Sequence, residues 1–349
     1  MTTDPEELYA ALRDEISTVL VGNEEIIENL TIALLTDGHV LLEGVPGTAK
    51  TTVAKLFARA TGLDSNRIQM TPDLLPADIT GTHVYREETA EFELQRGPIF
   101  TNLVVADEIN RATPKTQSAL LEAMQEGTVT IEGETLSLPD LFMLVATQNP
   151  IEMEGTHALP EAQRDRFQMK LTADVPEASV ERELMDHFEG QPDLGPEDIS
   201  QAVPTDDISA ARDAVTEVHL DESVKDYIHE IVAATRDHPA IAFGASPRAT
   251  LTFMRTVKAR AAIHGRSFVT PEDVKAMADS VLSHRLVLDT EAELSDYDPS
   301  EVIADLLESL TAPSGQQTPE AEAEPESEAP TATSDGGTPE TPFDDEGGE

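Results

Sequence analysis

The chain has 349 residues, enough for one large or two medium domains around an apolar core, and carries 68 acidic against 23 basic residues, a formal net charge of −45. A field of that sign repels nucleic acid phosphates and anionic membranes. The absence of cysteine excludes disulfides, Cys-ligated zinc and thiol nucleophiles. No run of about 18 apolar residues occurs, and residues 1–18 are acidic and amphipathic rather than basic and then apolar. A cytoplasmic protein without membrane insertion is the expectation.

The acidity is not only a property of one end. Residues 311–349 hold 11 acidic residues and no Lys or Arg, so about −34 of the charge belongs to residues 1–310. The chain has only seven Lys. Such a surface repels itself unless counterions screen it, which fits a halophilic protein of a salt-rich cytosol.

In chain order, Asp4-Pro5-Glu6-Glu7 reads as an N-cap, a first-turn proline and a capping carboxylate. Leu8, Leu12, Ile16, Val19 and Leu20 follow at helical spacing. A second apolar helix is expected over 24–36, then a short strand over 39–43, a helix over 51–60 and a strand over 67–71. The segments 103–107 and 141–147 read as buried strands. Between them, 114–126 reads as a helix closed by Gly127. Apolar strands alternating with helices predict an α/β fold with a parallel sheet covered on both faces. Residues 73–99 break the pattern: 82–86 and 91–94 alternate like a small hairpin around 87–90. After Pro176 no strand is expected, and helices over 177–188, 207–218, 223–237, 247–264 and 271–288 predict an all-helical second domain. The tail from about 311, rich in Pro, Glu, Ser, Thr, Gly and Ala, is expected to be disordered.

Five groups of residues carry chemistry. Gly44-Val45-Pro46-Gly47-Thr48-Ala49-Lys50-Thr51, followed by Thr52, lies between an apolar strand and a helix, where backbone N–H groups can wrap phosphates at a helix N-terminus. Lys50 would meet the β- and γ-phosphates and Thr51 would ligate magnesium, although Ala49 stands where Gly is usual and has less φ freedom. Leu103-Val104-Val105-Ala106-Asp107-Glu108 is a strand ending in two carboxylates, Asp107 for the metal and Glu108 to polarise a water. Asn149, at the end of another apolar strand, can position water against the γ-phosphate. Arg164 and Arg166 could reach a phosphate in a neighbouring subunit. Arg248 sits in the first turn of a helix after Ser246-Pro247, where the macrodipole disfavours a cation unless an anion such as a γ-phosphate is near.

Together these landmarks resemble the AAA+ superfamily, and most closely its MoxR family. The matching strings are Gly44–Thr51, Gly97-Pro98-Ile99-Phe100, 106–112, 115–124, 146–150, 159–167 and 244–249, in order over residues 5–290. The resemblance implies a P-loop AAA+ core with a five-stranded parallel sheet over 1–175, a hairpin inserted in helix 2 at 73–99 and a helical lid over 176–290. A short helix and the acidic tail would fill 291–349. It implies ATP and Mg2+ as ligands and assembly as a homo-oligomeric, usually hexameric, ring with ATP at subunit boundaries. Lys50 and Thr51 take the Walker A roles, Asp107 and Glu108 the Walker B roles, Asn149 becomes sensor 1 and Arg248 sensor 2. Arg166 is the expected arginine finger, with Arg164 standing where the family has Leu. Val21 and Gly22 match the stretch that contacts adenine, and Ala49 is common in MoxR-like loops. Such ATPases act with partners bearing a von Willebrand factor A domain, in chaperone-like remodelling or metal insertion.

Three other functions share the motifs. A ring helicase would need a basic hairpin, but 73–96 has a net charge of −4. A nucleotide-gated scaffold with negligible turnover conflicts with the intact Asp107, Glu108 and Asn149. A magnesium-chelatase-like subunit has the same fold. The nine His lack metal spacing, and Phe57, Phe142, Phe167 and Phe253 read as core residues.

Overall fold

The computed structural model describes residues 4–151, 155–191, 193–295 and 297–313, so nearly all of the expected acidic tail lies outside the described residues. Five short strands form the central sheet: β1 (Val40–Gly44), β2 (Ser65–Gln69), β3 (Leu103–Asp107), β4 (Met143–Gln148) and β5 (Met169–Ala173). They pair in parallel in the order β2-β3-β4-β1-β5.

Successive residues of these strands point to opposite faces, and both faces are buried. Leu103 and Val105 enter one core while Val104 and Ala106 enter the other, and Met143 and Val145 divide from Leu144 and Ala146 in the same way. That is why the strands read as unbroken apolar runs rather than alternating ones. The first core is shared with helices Pro5–Ile16, Glu24–Leu35 and Lys50–Thr61 and with the helices that follow residue 200. The second lies under helix Pro114–Glu126. Phe57, Phe167 and Phe253 are fully buried, and Phe142 nearly so.

The helix ends follow the sequence grammar. Asp4 accepts a hydrogen bond from the Glu6 amide at 3.1 Å, and Thr113 accepts one from Thr116. Gly127 closes its helix in the left-handed region at φ +62°. The inserted hairpin pairs Gly81–Arg86 with Glu91–Arg96 in antiparallel register, with Tyr85 opposite Phe92.

Two expectations need amendment. Strands do not end at Pro176: within the helical part Ile241–Phe243 and Val287–Leu288 form a two-stranded antiparallel ribbon, too short to give a periodic signal. The helix expected over 271–288 stops at Leu282 and tightens into a 3₁₀ turn, Ser283–Arg285. Apolar spacing continues through Leu286, but the Arg285 side chain turns inward to Asp165, which the pattern cannot reveal. A second hairpin, Thr128–Ile131 with Glu134–Ser137, and the short helix Pro76–Thr80 were not anticipated.

Candidate active site

The parallel register brings the carboxyl ends of the strands to one edge, the edge at which open α/β sheets bind ligands. Gln69 of β2 lies opposite Asp107 of β3, and Glu43 of β1 lies opposite Gln148 of β4.

In the loop from β1 to helix Lys50–Thr61, close approach calls for glycine at one position and backbone conformation at another. A Cβ on Gly44 would stand 2.4 Å from the Ala173 carbonyl, and Gly47 has φ +92°. Lys50 Nζ donates to the Gly44 and Val45 carbonyls at 2.7 Å each, so the loop holds its own cation. Burial pushes the Lys50 pKa down, while Asp107 and Glu108 oppose that shift. Thr48 Oγ1 donates to the Val45 carbonyl at 3.0 Å.

Ala49 takes the left-handed conformation, at φ +58° and ψ +16°. This is the reason Gly is usual before the lysine: an L-residue there costs about 1–2 kcal/mol. Ala49→Gly is therefore expected to raise unfolding free energy by about 1 kcal/mol while keeping nucleotide binding. Chemical denaturation in molar KCl measures it, and a lowered midpoint would count against a strained Ala49.

Asp107 is the hub of the site. Its carboxylate is buried and accepts from Thr147 Oγ1 at 2.5 Å and from Arg67 Nε and Nη2 at 3.0 and 2.5 Å. Thr51 Oγ1 lies 3.2 Å from both of its oxygens. Burial pushes its pKa up, but the hydrogen bonds from Thr147 and Arg67 and the charge of Arg67 prevail and hold it below the usual carboxylate range. A hydroxyl beside an ionised carboxylate is a hard-oxygen donor pair that suits a divalent cation such as magnesium.

Glu108 sits at φ +58° and ψ +55°, a conformation that costs a non-Gly residue about 1–3 kcal/mol. Three bonds hold it there. Its amide donates to Thr147 Oγ1 at 3.0 Å, and its Oε2 accepts from Gln69 Nε2 at 2.8 Å and Arg111 Nη1 at 3.1 Å. Asn149, 8% exposed, follows β4 directly. Its Oδ1 accepts from the Ile151 amide at 3.2 Å, and its carbonyl accepts from Asn110 at 3.4 Å.

Beside the loop opens a cavity of about 410 Å³, walled by Val21, Gly47, Ala49, Thr52, Pro176 and Phe188, with Leu184 and Leu194. Its apolar walls beside a phosphate loop suit a purine. Pro46 is exposed on the loop, and Gly22 turns instead to a larger cavity of about 820 Å³. Asp174 lines both spaces, but Glu24, Glu177 and Asp279 line only the larger one, where their charge would repel a triphosphate, so the smaller cavity beside the phosphate loop is the better nucleotide site.

The remaining arginines lie elsewhere. Arg164 ends the short helix Glu161–Arg164 and Arg166 follows it; both are half-buried, and neither side chain has a hydrogen-bond or ion-pair partner among the described residues. Arg248 is exposed at the start of helix Pro247–Ile263; burial pushes the Arg285 pKa down against the opposing pull of Asp165, and the charge of Arg248 adds to the lowering. Sequence reasoning missed Arg67, Gln69, Arg111, Thr147 and Phe188. The polar-apolar-polar run Arg67-Ile68-Gln69 in a strand was the available signal for two of them.

A phosphate loop off β1, an acidic pair off β3, the sheet order β2-β3-β4-β1-β5 and an appended helical part define an AAA+ ATPase. Residues 39–169 match the ATPase family associated with various cellular activities (AAA), and residues 233–306 match an AAA lid domain. The chain is 43% identical to the uncharacterised protein YeaC of Bacillus subtilis, covering 86% of this chain and 93% of that one. It is 41% identical to the chaperone MoxR1 of Mycobacterium tuberculosis, covering 88% and 82%. A crystal structure of a Cytophaga hutchinsonii protein described as an ATPase superposes with a TM-score of 0.81 at 39% identity, covering 89% and 96%. The chain belongs to the MoxR family of AAA+ ATPases, and its activity is ATP hydrolysis.

Proposed function

We propose that this ATPase works as a magnesium-dependent, homo-oligomeric and hexameric ring that remodels or matures partner proteins in a chaperone-like manner, metal insertion included. The observation that carries the reading is the contact of Thr51 Oγ1 with Asp107, next to Glu108, at the mouth of the loop that holds Lys50. In it Lys50 exchanges its two carbonyl partners for the β- and γ-phosphates, Thr51 and Asp107 hold Mg2+, and Glu108 takes the proton of the attacking water. The metal, when bound, neutralises charge building on the phosphate oxygens. Asn149 orients that water, and Val21 with Phe188 encloses the adenine.

Arg166 and Arg248 act on the ATP of a neighbouring subunit. Support for this comes from the arginines that reach the acidic pair, which are Arg67 and Arg111, whereas Arg166 and Arg248 make no side-chain hydrogen bond to it among the described residues. The working units are a core over 1–175 with the 73–99 hairpin, a lid over 176–290, and the remainder. MoxR1 carries the name of a chaperone, which favours protein over nucleic acid as the client. The hairpin's carboxylates favour it too.

A partner with a von Willebrand factor A domain is the expected client or co-factor. Tagged Glu108→Gln protein, charged with ATP in molar KCl, should retain it through purification. Tight single-stranded nucleic acid in place of a protein would overturn the reading. No helix among the described residues is long and apolar enough to cross a membrane, in keeping with a cytoplasmic site of action. The charge of −45 further implies a salt-adapted protein. It should unfold when dialysed into dilute buffer, followed by circular dichroism, and full stability there would remove the halophilic part.

A further inference from the structure

Arg285 is a buried charge that the phosphate site does not use. It ends the 3₁₀ turn Ser283–Arg285, and its side chain is 2% exposed. Its Nε donates to Asp165 Oδ1 at 2.9 Å, its Nη2 to the Phe167 carbonyl at 2.6 Å, and its Nη1 to the Gln168 carbonyl at 3.1 Å and to the Val281 carbonyl. His284 Nε2 donates to the same Phe167 carbonyl at 3.1 Å. Residues 165–168 are thus gripped from the helical part of the molecule.

A guanidinium is costly to bury, and apolar residues often fill such space at least as well. What the planar fork adds is direction, because it fixes several acceptors at once. Those acceptors belong to the residues that flank Arg166. Asp165 separates Arg164 from Arg166, and the Phe167 and Gln168 carbonyls come directly after. Arg164 has its Nε buried inside the subunit, so Arg166 is the arginine of this turn assigned to the neighbour.

We infer that Arg285, through Asp165 and the Phe167 and Gln168 carbonyls, sets the direction in which Arg166 is presented to the neighbouring subunit. Movement of helix Pro271–Leu282 is thereby passed to the next subunit's ATP. Arg285 is a positioning residue, and the inference rests on the proposed role of Arg166 as arginine finger.

Two variants probe it in the full chain at molar KCl. Asp165→Asn keeps an acceptor but removes the charge, and Arg285→Lys keeps the charge but removes the fork. Both should lower kcat by about ten- to a hundredfold, with the affinity for ATP and the ring mass by light scattering unchanged. Mixing Asp165→Asn subunits with Glu108→Gln subunits, which have an intact Arg166 but no base, should restore turnover, because the arginine serves the neighbour. Wild-type kcat in both variants overturns the inference, as does a parallel loss of affinity and kcat without restoration. Arg166→Ala separates the two levels. Wild-type turnover in that variant removes the finger itself, whereas loss there with full activity in Asp165→Asn and Arg285→Lys removes only the tether.

Discussion

Glu108→Gln is expected to cut ATP turnover by on the order of a thousandfold while leaving nucleotide binding intact, since a positioned general base contributes about 10²–10⁴. The amide keeps the shape of the side chain and can still accept from Gln69 and Arg111 through its oxygen, so the contacts of Glu108 Oε2 survive. What it loses is the lone pair that takes a proton from water. The left-handed backbone of Glu108 explains why this group can be replaced but not moved. The hydrogen bond that the Glu108 backbone N–H donates to Thr147 Oγ1 ties its direction to Asp107, which the same hydroxyl reaches at 2.5 Å. Single-turnover phosphate release in molar KCl measures the effect. Unchanged release would take the role of base away from Glu108.

Lys50→Ala should act at the earlier step and weaken ATP binding about a hundredfold. A charge-assisted hydrogen bond contributes about 1.5–3 kcal/mol, and tenfold in affinity corresponds to about 1.4 kcal/mol. In this structure the ammonium is already partly desolvated and held by the Gly44 and Val45 carbonyls. The exchange from carbonyls to phosphate oxygens therefore costs little reorganisation. Fluorescence titration with an ATP analogue checks the value, and an affinity within threefold of the wild type would contradict it. The two substitutions also separate from each other, since one leaves binding without turnover and the other removes both.

Much of this site was legible because each of its parts has a local signature. Gly44 to Thr51 announces a strand-to-helix phosphate loop through small residues and one lysine. Leu103 to Glu108 announces a buried strand by its apolar run and a site by its two carboxylates. Asp4-Pro5 and Gly127 mark helix ends through chemistry confined to a few residues.

What stayed hidden depends on pairing across the chain. Arg67 and Gln69 become site residues only because the register sets Gln69 opposite Asp107. Leu184 and Phe188 look like any amphipathic helix face until Pro176 and the phosphate loop are seen to close a cavity with them. Arg285 falls in a stretch whose apolar spacing continues a helix, yet the helix ends at Leu282 and the Arg285 side chain meets Asp165, a partner distant in sequence. The ribbon Ile241–Phe243 with Val287–Leu288 is two or three residues deep, below the length at which period-two alternation can be recognised.

The most direct test of the account is calorimetric titration of the purified full chain with MgATP in molar KCl. Saturable uptake of one nucleotide per chain, weakened about a hundredfold in Lys50→Ala and retained without turnover in Glu108→Gln, is the predicted result. Absence of any nucleotide uptake by the folded wild-type protein would contradict the phosphate-loop site and everything built on it.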